Sequence, residues 1–98
     1  MIIGSTPTHS FGIPFSTNLI NELVITYSQN EGKVLEKTLA DCVVSESKIE
    51  LTLTQEETLQ FVEGIYCVQL KVKTRGDKVS QSRLIYCRAY KTLNKEII

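Results

Sequence analysis

Hydrophobic and polar residues alternate along most of the chain, and the alternation is clearest between Lys48 and Lys73. Ile49, Leu51 and Leu53 alternate with Glu50, Thr52 and Thr54, the period-two pattern of a strand with one buried face. Thr54-Gln-Glu-Glu57 then matches a capping box. The Thr54 hydroxyl is expected to accept from the Glu57 amide while the Glu57 carboxylate reaches back to the Thr54 amide. The acids Glu56 and Glu57 suit the positive end of a helical turn. Gly64 ends this segment, and Tyr66, Val68, Leu70 and Val72 alternate with Cys67, Gln69, Lys71 and Lys73 in a second half-buried strand. A strand, a bridging turn of this length and another strand predict a crossing between two packed sheets rather than a tight hairpin.

The same reading extends to the rest of the chain. Thr8 to Ile13 is a first strand, confined to an edge by Pro7 and Pro14. Phe15 to Asn21 is a turn in which Ser16 or Thr17 caps one helical turn. Glu22 to Gln29 is a strand with Leu23, Ile25 and Tyr27 on one face. Asn30-Glu-Gly-Lys33 is a hairpin turn with Gly32 supplying the positive φ, and Val34 to Thr38 is its partner strand. A break at Ala40-Asp41 leads to Cys42–Ser45, and Arg75-Gly-Asp-Lys78 is a further hairpin turn. The last strand runs from Val79 to Tyr90. About seven short strands with turn signals every 8–12 residues or so predict an all-β, antiparallel β-sandwich with one short helical turn between strands.

At 98 residues the chain is a single domain, 1–98, too short for a cleft between domains. Residues 1–7 read as a flexible or docking N-terminal arm and residues 92–98 as a C-terminal tail. Eleven basic and eleven acidic residues cancel, which argues against a nucleic-acid partner bound through its phosphates and suits a chain that packs against neighbours. No run approaches the length of a membrane-spanning helix and no signal peptide is visible, so no membrane partner is expected. Synthesis in the cytosol with reduced thiols is the default.

Candidate chemistry is sparse. The three cysteines Cys42, Cys67 and Cys87 lie too far apart for a zinc-type spacing and read as free thiols, with Cys67 on a sheet surface near Cys87. His9 is the only histidine and reads as an edge-strand residue rather than the base of a triad. Arg75-Gly76-Asp77 matches a short adhesion motif but is also what a hairpin turn wants. No catalytic residue, cofactor site or metal site is assigned. The less ordinary features are Leu84, Tyr86 and Tyr90 on one face of the last strand, and the apolar ends Ile2, Ile3, Ile97 and Ile98. These seven residues are the interface candidates, with half-coverage inside the sandwich as the alternative.

Two resemblances add to this reading. Leu51-x-Leu53 followed by Gly64-x-Tyr66-x-Val68 resembles the end of an immunoglobulin-type domain, in which a tyrosine pins a corner through its hydroxyl. The resemblance implies an immunoglobulin-like sandwich and gives Tyr66 a structural role beside the caps Thr54 and Glu57. Val68 stands where the family has a disulfide cysteine, Cys67 is one step out of phase, and the chain has no tryptophan, so an antibody-like domain is not expected.

Gly4–Phe11, Leu23–Asn30, Ala40-Asp-Cys42 and Leu51-Thr-Leu-Thr-Gln-Glu-Glu-Thr-Leu59 together resemble small structural proteins of phages and prophages of Gram-positive bacteria. The last of these phrases is similar to the N-terminal sandwich domain of phage baseplate upper proteins. This resemblance implies a non-enzymatic virion component of the capsid, neck, tail or baseplate. Such a protein would be made in the host cytoplasm and assembled in multiple copies with other virion proteins. The alternatives are a phage-encoded modulator of a host protein and an adhesion or carbohydrate-binding module.

Overall fold

The computed structural model describes residues 1–98. Eight strands form two antiparallel sheets: β1 (Thr8–Gly12), β2 (Ile20–Gln29), β3 (Gly32–Thr38), β4 (Val43–Ser45), β5 (Lys48–Thr52), β6 (Gly64–Thr74), β7 (Val79–Gln81) and β8 (Ile85–Ala89). One short helix, α1 (Gln55–Thr58), links β5 to β6. The small sheet has the order β1-β5-β4, and the large sheet has the order β3-β2-β6, with β7 and β8 sharing the far edge of β6. The chain is therefore an all-β sandwich, and the β5–α1–β6 segment makes the expected crossing between its layers.

Two features of this topology were outside the sequence reading. The last strand is interrupted at Ser82–Leu84, so Val79–Tyr90 becomes β7 and β8. Ser82 fills the gap: its amide donates to the Leu70 carbonyl and its hydroxyl accepts from the Leu70 amide at 3.0 Å. Sheet membership also differs from the antibody arrangement, where the second strand joins the first and fifth. Here β2 lies between β3 and β6, so the small sheet keeps only three strands.

The alternation of the sequence becomes the core. Leu23, Ile25, Tyr27, Tyr66, Val68, Leu70 and Val72 face Ile49, Leu51 and Leu53 across the layers, with Phe61 closing one end. The β2–β3 hairpin holds its positive φ at Asn30 (53°) and Glu31 (64°), not at Gly32. Gln29 pairs directly with Gly32, so the two residues between them must both turn left-handed, the primed geometry that matches strand twist. In the second hairpin Asp77 (61°), not Gly76, takes that conformation.

The N-terminal segment is not a free arm. Ile2 makes a parallel bridge to Tyr90, and the Ile3 amide donates to the Tyr90 carbonyl at 2.9 Å. Ile3 is only 6% exposed and belongs to the core, which removes it from the interface candidates. The reason is strand parity: neighbouring residues on a paired strand face opposite sides, so Ile2 points outward when Ile3 points in.

Candidate functional site

The outer face of the large sheet carries the most distinctive surface. Cys67 pairs with Tyr86 and Ile65 with Arg88 across β6 and β8, and Tyr90 pairs with Ile2 beyond them. Pairing partners share a face, so these residues form one strip across β6, β8 and the isolated Ile2–Tyr90 bridge. Ile65, Tyr86, Tyr90 and Ile2 are all more than half exposed. The Arg88 guanidinium stands 6.0 Å from the Tyr90 ring centre, within reach of a weak cation–π contact. Leu84 lies in the break before β8 and is also exposed. The structure thus brings together Ile2, Tyr86 and Tyr90 and adds Ile65 and Arg88. Ile65 was legible as a large apolar residue in the polar phase of β6.

Ile97 and Ile98 do not join this strip. They pass the start of α1, where the Ile98 amide donates to Gln55 Oε1 at 3.1 Å. Ile97 is half exposed and Ile98 is almost fully so.

The structural residues are placed as follows. Thr54 and Glu57 form the capping box: the Thr54 amide donates to Glu57 Oε1 at 2.9 Å, and the Glu57 amide donates to Thr54 Oγ1 at 3.2 Å. The other Glu57 oxygen pairs with Lys37 of β3, tying α1 to the large sheet. Burial alone would raise the Glu57 carboxyl, but the hydrogen bonds and charge of Lys37 and the Thr54 contacts hold it below the usual range. Tyr66 is buried, yet its hydroxyl makes no hydrogen bond to backbone. It sits opposite Cys87 on β8, and burial, followed by that thiol, pushes its pKa up. The expected corner pin is absent, and the Tyr66 ring is packed instead by Phe61 and Tyr27, with centroids 5.1 and 6.3 Å away.

Three buried polar arrangements escaped the sequence reading. Thr58 is fully buried, accepts from the Gly4 amide at 2.9 Å and lies 2.8 Å from the Ser5 carbonyl, clamping the first residues onto α1. Gln29 is inward-facing and exchanges two bonds with the backbone of Val62. Its place in phase with Leu23, Ile25 and Tyr27 was the available signal. His9 Nδ1 lies 2.6 Å from the Tyr27 hydroxyl, joining the two sheets.

The remaining candidates separate. Cys67 and Cys87 occupy adjacent strands but opposite faces, because Cys67 pairs with Tyr86 while Cys87 pairs with Tyr66. Their expected proximity on one surface therefore does not occur. Cys42 is half-buried, and burial followed by Asp41 pushes its thiol up against the opposing pull of Lys37. Arg75 donates through Nε to the Asn18 carbonyl at 2.8 Å, so the Arg75-Gly76-Asp77 turn is braced against the short helical turn Thr17–Leu19 that precedes β2. Between β1 and the β7–β8 edge runs a groove of about 540 Å³, lined by Phe11, Ile13, Phe15, Leu70, Val72 and Ile85 among others. No family, curated protein or solved structure matches the chain.

Proposed function

We propose that this chain is a non-enzymatic bacteriophage virion protein, a rigid β-sandwich that joins a capsid, neck, tail or baseplate through repeated protein contacts. The observation that carries this reading is the strip Ile2, Ile65, Tyr86, Arg88 and Tyr90. It is partly aromatic and exposed, with Ile65, Tyr86 and Arg88 on the paired strands β6 and β8 and Ile2 bridged to Tyr90 beside them. Aromatic residues and arginine are the side chains that dominate protein interfaces, and a sheet face holds their backbone in place, so that binding has only side chains left to order. Zero net charge lowers the repulsion between closely packed copies. The phage resemblance of the sequence supplies the setting.

Mass spectrometry of purified particles of the encoding phage tests this directly. The chain is expected in stoichiometric copies with the major structural proteins. Its absence from particles, together with capture of a single host protein, would favour the modulator reading instead.

A further inference from the structure

The inner polar contact between the sheets has a property that the outer strip does not. β1 is an edge strand, and its backbone pairs only with β5. Its only side-chain hydrogen bond to the large sheet is His9 Nδ1 to the Tyr27 hydroxyl. The other one from Thr8–Gly12 goes from Thr8 to Thr52 within the small sheet. Behind β1 lies the apolar groove of about 540 Å³. We propose that His9 is a pH-operated latch. With the imidazole neutral, β1 is held against the large sheet. With the imidazole protonated, β1 lifts and the groove lined by Phe11, Ile13, Leu70 and Val72 opens.

The chemistry follows from what surrounds the ring. A neutral imidazole pairs with a hydroxyl in either direction, as donor or acceptor, whereas an imidazolium has only donors. The added charge would lie among apolar and aromatic groups: Leu51 opposite on β5, and Tyr27, itself packed against Phe61 and Tyr66. The titratable groups around this contact give it no free counter-ion. From β2 comes the Tyr27 hydroxyl, which burial keeps protonated. Tyr66 of β6, Cys87 of β8 and Cys42 before β4 also act on that hydroxyl. Glu57 of α1 is the one carboxylate acting on it, and Glu57 is already engaged by Lys37 and the Thr54 amide. On β5, Glu50 and Lys48 pair with Ser10 and Gly12, on the opposite side of the small sheet from His9. The Met1 amino group adds positive charge. Burial and that charge hold His9 below its ordinary value of 6.5. The nearest relief for an imidazolium is water, and an edge strand reaches water by moving alone.

Amide hydrogen exchange followed by NMR tests the latch between about pH 7.5 and about pH 5, the range in which histidine changes charge. Rates are corrected for the intrinsic pH dependence of exchange. Opening of Thr8–Gly12 is expected to rise as pH falls below about 6.5, the ordinary value that His9 regains in the open strand, towards ~10-fold per pH unit, and to level off below the lower His9 pKa of the closed strand, the signature of one linked proton, while β2 and β6 keep their protection. His9→Gln, which retains a hydrogen-bonding side chain without a titration, is expected to abolish that dependence. Tyr27→Phe provides a second reading: β1 opens already at neutral pH and the acid response shrinks. The proposal is overturned if all strands lose protection together, if His9→Gln keeps the wild-type pH course, or if His9 titrates at or above 6.5 by NMR.

Discussion

The Gln29 carboxamide and the Val62 backbone exchange two hydrogen bonds: Nε2 donates to the Val62 carbonyl at 2.6 Å, and the Val62 amide donates to Oε1 at 2.9 Å. The side chain thus behaves as a piece of strand where the chain leaves α1 and has no strand partner. Gln29→Leu keeps the bulk but removes both bonds and leaves two backbone groups poorly solvated. A loss of about 1–3 kcal/mol in urea unfolding is expected. A change within experimental error would mean that water replaces the carboxamide freely.

The β2–β3 turn carries a correctable strain. Glu31 is fully turned into left-handed space, with φ 64°, where a Cβ is unfavourable. Glu31→Gly is expected to raise stability by about 0.5–1 kcal/mol, whereas the usual effect of adding glycine is loss. Thermal unfolding decides the sign.

Tyr66 holds its place by packing rather than by its hydroxyl. Tyr66→Phe is therefore expected to cost less than about 0.5 kcal/mol, below the range of a typical buried hydrogen bond. Tyr66→Ala, which empties space beside Phe61 and Tyr27, is expected to cost about 3–5 kcal/mol. A large loss for the phenylalanine variant would restore the corner argument.

Acid acts on Glu57 in a defined direction. Its carboxyl is held below its ordinary value of 4.5 in the folded chain, so the folded state binds that proton less readily than the unfolded one. The stability it contributes is complete above about pH 5 and is lost as pH falls through the folded value. Lys37→Met removes the partner. The variant is expected to be less stable at neutral pH and to lose less on acidification below that point, measured by urea midpoints across pH.

The role proposed for the outer strip separates contacts from folding. Ile65→Lys with Tyr86→Lys is expected to leave stability within about 0.5 kcal/mol per site, since both are exposed. The same double variant is expected to be missing from particles assembled in its presence. Normal incorporation would remove this face from the assembly.

Much of the fold was legible because alternation is a local property. Leu23, Ile25 and Tyr27 in β2, and Tyr66, Val68 and Leu70 in β6, announce both strand and inward face without reference to any partner. The capping box of Thr54 and Glu57 closes over four residues and needed no tertiary information. Turn positions were also visible, but not which residue would bear the positive φ, because the register of Gln29 against Gly32 is set by strand pairing.

The surface was harder to read for the same reason. The spacing of Tyr86 and Tyr90 left exposure and half-coverage open; both are exposed, and Ile65 joins them only through the β6–β8 register. Ile2 and Ile3 are identical in type and adjacent in sequence, and pairing with Tyr90 sends one to the surface and the other to the core.

By itself, then, the amino-acid sequence determined the all-β class, the inward face of each long strand and the capped turn between β5 and β6. These depend on periodicity and on contacts spanning a few residues. Tertiary structure decided the placing of β2 beside β6, the burial of Ile3, the role of Gln29 and the meeting of His9 with Tyr27. Each of those joins residues distant in the chain, and their proximity depends on how the layers stack rather than on any local preference.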